Sequence, residues 1–116
     1  MTRRVFWHMD PVESGGTRTH YRLRIRFAAS GRREHAYEGL VYFSEEEAST
    51  AGTRLAARLR YSSVPALCDW SKMLVADAER LPDDSASRAR ILNNASDISR
   101  FAEELLGKPE RRGVAS

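Results

Sequence analysis

Cysteine is almost absent from this chain of 116 residues. Cys68 stands alone, which excludes an intrachain disulfide and any multi-cysteine zinc or iron–sulfur site. Long apolar runs are missing too. No stretch approaches the roughly 18 residues that a membrane span needs, and the arginines near the N-terminus are not followed by a hydrophobic segment of signal-peptide length. No membrane partner and a cytoplasmic location are therefore expected. Glycine (7) and proline (4) are few, while 41% of residues are hydrophobic and 30% charged, the composition of a folded chain rather than of a low-complexity one. No G-x-G-x-x-G, Walker, G-x-S-x-G, H-E-x-x-H or calcium-loop pattern occurs, which removes the commoner nucleotide, hydrolase and metalloprotease assignments. No cofactor is expected, and there is no internal repeat.

Lysine is scarce as well: of 19 basic residues only Lys72 and Lys108 are not arginine. The guanidinium fork suits bidentate contacts to phosphate or carboxylate, although a GC-rich genome produces the same bias. The formal net charge is only +3, but it is unevenly divided. Residues 1–43 hold Arg3, Arg4, Arg18, Arg22, Arg24, Arg26, Arg32 and Arg33 against Asp10, Glu13, Glu34 and Glu38. Residues 44–116 carry slightly more acid than base. The positive field belongs to the N-terminal part.

That part reads as strands. Arg3 to Met9 is short, aromatic and β-branched, and Asp10-Pro11 should end it, because proline removes a backbone donor. After a polar loop with two glycines, Tyr21, Leu23, Ile25 and Phe27 alternate with Arg22, Arg24 and Arg26, the cleanest period-two pattern in the chain. A turn around Ser30 to Glu34 then leads into a third strand, Ala36 to Phe43, paired to the second as a hairpin. Parity favours a three-residue loop at 31–33, or a five-residue one at 30–34, pairing 22 with 42, 24 with 40 and 26 with 38. Tyr21, Leu23, Ile25, Phe27, Tyr37, Val41 and Phe43 then face inward. His20, Arg22, Arg24, Arg26, Glu38, Leu40 and Tyr42 share the opposite face. The first strand can pair with either edge of this hairpin.

The remainder reads as helices. Ser44 followed by Glu45, Glu46 and Glu47 is a capping-box signal, starting a helix that fades near residues 61–64. Pro65 suits the first turn of a second helix, whose stripe of Leu67, Trp70, Leu74, Val75, Ala78 and Leu81 ends at Pro82. Asp83, Asp84 and Ser85 cap a third segment, with Ile91, Ala95, Ile98, Ala102 and Leu105 on one face and a stop at Gly107 and Pro109. Asn93 and Asn94 are poor helix formers in its middle, and Ser96 could cap a second start, so one long helix and two short ones are both open. The expected architecture is α+β: a three-stranded antiparallel sheet followed by three helical segments packed on one sheet face, forming one domain over residues 1–109 with a flexible tail at 110–116.

The candidate site is the arginine row. Arg18, Arg22, Arg24 and Arg26, with Arg32 and Arg33 at the turn, place positive charge about 6.7 Å apart along one strand face, from the strand rise of roughly 3.3 Å per residue. Tyr42 beside Arg22 offers a stacking surface and His20 a titratable group. Such a row grips a phosphate backbone or an acidic protein surface. The plain alternative is a solvated sheet face with Arg26 paired to Glu38. A ribonuclease-like reading uses His20 as acid or base, Arg22 and Arg24 on a phosphate and Tyr42 to orient it. His20 and His35 fall at opposite ends of the hairpin, too far apart to share a metal ion. Cys68 and Trp70 read as core residues, and whichever of Phe6 and Trp7 is exposed marks a partner or dimer contact. The leading expectation is a non-catalytic binding module whose basic sheet face, His20 and Tyr42 included, engages nucleic acid or an acidic protein surface. The second is a small inhibitor or adaptor, of the accessory type carried by phages and mobile elements, which masks a site on a larger machine.

Overall fold

The alternation on the second strand organises the molecule. In the computed structural model, which describes residues 2–13 and 19–107, the chain runs β1 (Arg3–Glu13), β2 (Thr19–Ala29), β3 (His35–Tyr42), α1 (Glu45–Tyr61), α2 (Val64–Glu79) and α3 (Ala86–Leu105). The strands form one antiparallel sheet in the order β1-β2-β3. Leu23, Ile25 and Phe27 of β2 are buried with Val5 of β1 under Ala51, Ala56 and Leu59 of α1 and Ile98, Phe101 and Ala102 of α3. The fold is the expected α+β arrangement. α1 covers β1 and β2, α3 covers β3, and α2 lies against α3 while sending Leu67 and Trp70 into the same core. Residues 14–18, which hold Arg18 and the two glycines of the expected polar loop, and the expected tail at 110–116 lie outside the described residues.

β1 does not stop at Asp10-Pro11. It continues to Glu13, with Pro11 opposite Tyr21. The hydrogen-bond phase explains why. Ser30 N–H donates to Thr2 O (2.8 Å), so in this register the even-numbered residues of β1 bond to β2 and the odd-numbered ones point their N–H and C=O outward. The hydrogen that Pro11 lacks would have pointed into solvent, which is the one place a strand tolerates proline.

The β2–β3 register also differs from expectation. Arg24 pairs with Glu38 and Arg26 with Ala36, two residues from the expected pairing but with its parity preserved, so Tyr37 faces inward. Between Arg24 and Arg22 the strands then slip, because Gly39 and Leu40 both oppose Leu23. This is a β-bulge, and it exchanges the faces of everything beyond it. A Cβ on Gly39 would come within 3.1 Å of the Leu23 side chain, so the buried half of the bulge admits a larger residue only if Leu23 gives way by a few tenths of an ångström. Beyond it Tyr42 lies opposite Tyr21 against the core. Val41 and Phe43, expected inside, are 41% and 73% exposed.

All three helices begin on serine. Ser44, Ser63 and Ser85 each accept from the backbone N–H three residues on, the bond that an N-cap supplies. α3 is a single helix despite its two asparagines. Asn94 does not compete for the helix backbone: its Oδ1 accepts from Glu38 N–H (2.9 Å) and its Nδ2 donates to Glu38 O (2.9 Å). Asp97 Oδ2 accepts from Ala36 N–H (3.0 Å). Two side chains of α3 therefore act as a fourth strand along the outer edge of β3. Farther along, His35 Nε2 donates to Glu104 Oε1 (2.6 Å) with both side chains buried.

Arginines join α1 to β1 in both directions. Arg3 donates to Leu59 O, satisfying a carbonyl of the last helical turn, and Arg60 donates to Val5 O, both at 2.9 Å. Arg58 lies 4.1 Å over the Trp70 ring, which packs on Tyr37. Burial first, and then the neighbouring Tyr42 phenol, push the Tyr37 hydroxyl above its ordinary value, opposed by Arg58 and Arg90.

Gly52 receives the ring of Trp7. A Cβ there would lie 2.6 Å from the indole. Gly52→Ala therefore destabilises the protein by about 1–3 kcal/mol through overpacking, where an exposed helical site would gain about 1 kcal/mol. Urea unfolding followed by tryptophan fluorescence measures the sign. Asn94→Ala strips the Glu38 backbone of both partners and costs about 2 kcal/mol, read as a lowered urea midpoint with the helical circular dichroism intact.

Candidate binding face

The helices leave one face of the sheet uncovered. Even-numbered residues of β1 and β2 share it: Arg4, Phe6, His8 and Asp10 lie beside His20, Arg22, Arg24 and Arg26. β3 contributes Glu38 before the bulge and Val41 after it. Period-two alternation places every one of these except Val41, which the bulge delivers.

The row of guanidinium groups is real, but it is not bare. Glu38 Oε1 lies 3.5 Å from Arg24 and 4.0 Å from Arg22, and Glu34 Oε1 lies 3.9 Å from Arg26 Nε. The expected Arg26–Glu38 pair is replaced by these, because the observed register moves Glu38 opposite Arg24. On β1, His8 Nε2 lies 3.5 Å from Asp10 Oδ2. All these groups are 40% or more exposed, so each pair contributes at most about 1 kcal/mol and exchanges readily for a better partner. Asp10, Glu34 and Glu38 thus offset most of the charge of Arg4, Arg22, Arg24 and Arg26. Arg32 and Arg33 sit on the β2–β3 turn, where Arg32 N–H closes on Ala29 O and Gly31 adopts a φ of 75°.

Tyr42 is not part of this face. The bulge turns it to the helix side, beside Ser44 and Thr50 of the α1 start, and its place is taken by residues the alternation had assigned to the core. Phe43 packs its ring edge against His20 with centroids 4.9 Å apart. Phe6 is 62% exposed beside Arg26, whereas Trp7 turns to the core. The face is therefore arginines between two exposed phenylalanines. The grouping of His20 with Tyr42 that the ribonuclease-like reading requires is not formed. His8 and His20 lie four strand positions out of register, about 13 Å along the sheet at roughly 3.3 Å per residue. His35 faces the core, and among the described residues no group of three or more histidine, cysteine or carboxylate side chains is placed to hold a metal ion.

Phe43 and Val41 could have been found only by spotting the bulge, whose one local signal is Gly39 inside an otherwise regular strand. Glu38→Gln leaves Arg22 and Arg24 without an ionised partner. Stability changes by less than about 1 kcal/mol, while retention on a heparin column rises, a comparison that measures how far Glu38 masks the row. No protein-family model, curated protein or solved structure matches this chain.

Proposed function

We propose that this protein is a non-catalytic docking module whose uncovered sheet face binds a protein surface that is acidic and offers apolar pockets. The observation that carries this reading is the exposure of Phe6 and Phe43 at 62% and 73% on the same face as Arg22, Arg24 and Arg26. Arginine and aromatic residues are the types that concentrate binding energy at interface centres. A partner carboxylate replaces Glu38 or Glu34 at little cost, since those ion pairs are exposed, and the phenyl rings then supply the apolar anchors. Such a module acts by occupancy, as an adaptor or as an inhibitor covering a site on a larger assembly.

Single-stranded nucleic acid is the second reading. It is favoured by the placement of Phe6 beside Arg26 and of Phe43 against His20, a ring at each end of the arginine row, as base stacking along a phosphate backbone uses. Against it stand Glu34, Glu38 and Asp10, which any phosphate chain meets on this face.

Affinity capture with the wild-type protein beside folded Phe43→Ala and Arg24→Ala variants separates the two readings. A discrete protein captured by the wild type should bind each variant at least about tenfold more weakly, as expected for central anchors. Fluorescence anisotropy with labelled single-stranded DNA and RNA at low and physiological salt is the counterpart. Tight, steeply salt-dependent binding that the same variants abolish, with no protein captured, transfers the assignment to nucleic acid.

A further inference from the structure

The two edges of the sheet are finished differently. Asn94 and Asp97 close the outer edge of β3. On β1 the outward groups are those of the odd-numbered residues, and among the described residues only the Val5 carbonyl is taken, by Arg60. Pro11 has no hydrogen to offer. Among the described residues nothing bonds the outward N–H and C=O of Trp7 and Met9, and an edge in this condition is a template for another strand.

We propose that β1 pairs antiparallel with β1 of a second copy, with Trp7 opposite Met9, Val5 opposite Pro11 and His8 on the two-fold axis, joining two sheets into one of six strands. The backbone selects this register. Trp7 and Met9 exchange both of their N–H···O bonds, and Val5 N–H donates to the Pro11 carbonyl. The two groups that cannot take part fall opposite each other: the Val5 carbonyl, already held by Arg60, meets the nitrogen of Pro11, which has no hydrogen. A shift of two residues one way sets Met9 N–H against the occupied Val5 carbonyl. The same shift the other way sets the Trp7 carbonyl against Pro11. A shift by one residue opposes outward groups to inward ones and mixes the faces.

The side chains agree with the backbone. Trp7 meets Met9 of the second copy on the helix side, where a thioether packs well on an aromatic ring, and no two like charges fall opposite each other between Arg3 and Glu13. Such an interface is isologous and closes on itself, so it ends at the dimer. The two-fold axis stands perpendicular to the sheet, so the helices of both copies lie on one side and both arginine faces on the other, as one continuous surface. The inference concerns the β1 edge and holds whatever the face binds.

Sedimentation velocity of the full chain from micromolar to submillimolar concentration tests it. Twice the monomer mass is expected at the upper end. Met9→Pro removes an outward hydrogen that makes no bond to β2, so circular dichroism should be unchanged while the dissociation constant rises by about 30-fold or more, two N–H···O bonds being lost across the axis. Should that variant misfold, hydrogen exchange on the wild type decides the matter, because the Trp7 and Met9 amides gain protection with concentration if they pair. A wild type that stays monomeric, a folded Met9→Pro protein that dimerises as tightly, or concentration-independent exchange at those amides overturns the proposal.

Discussion

Two hydrogen bonds between Asn94 and the Glu38 backbone, with a third from Ala36 N–H to the Asp97 carboxylate, are the constraint on which the rest of the structure depends. A three-stranded sheet has only one fully paired strand, and a buried backbone group without a partner costs more than a good hydrogen bond contributes. Covering the β3 edge with a helix is possible only if that helix carries groups able to bond it. Asparagine presents a donor and an acceptor together, as a strand residue does, and Asn94 meets both groups of one residue. This fixes α3 along β3, and α2 packs against α3 in turn.

From that placement the character of the open face follows. With α1 and α3 committed to the odd-numbered side of β2, the arginines on the even-numbered side have no helix to cover them. The bulge at Gly39 and Leu40 lies beside the clamped Glu38, and it turns Phe43 outward to the end of the row that His20 occupies. Other arginines serve the fold rather than the face. Arg3 and Arg60 lace β1 to the end of α1, and Arg58 lies on Trp70. Of these only Arg3 belongs to the basic N-terminal part, and Arg22, Arg24 and Arg26 of the row are partly offset at close range by Glu34 and Glu38.

The legible part of the fold was the part written in local terms. Alternation in β2, the caps at Ser44 and at 83–85, Pro65 in the first turn of α2 and apolar stripes at helical spacing each depend on residues close in the chain, and each element formed where those signals lie. Errors arose where a distant segment decided the outcome. Pro11 reads as a strand end when taken alone, and it is tolerated because no strand of its own chain lies on the side its nitrogen faces. Tyr42 reads as the companion of Arg22 by parity, and one inserted residue moves it to the core side. Asn94 reads as a helix weakness, because the backbone it serves is 56 residues away in sequence.

The amino-acid sequence by itself determined the element types, the α+β order, the helix starts and the presence of an arginine row, since periodicity and capping chemistry act over a few residues. Tertiary structure alone decided the strand register, the bulge, the closing of one sheet edge and the partial neutralisation of the row. Those outcomes depend on which backbone groups and carboxylates meet across the sheet and along α3, and such meetings are fixed by packing between segments rather than by the chemistry of any one segment.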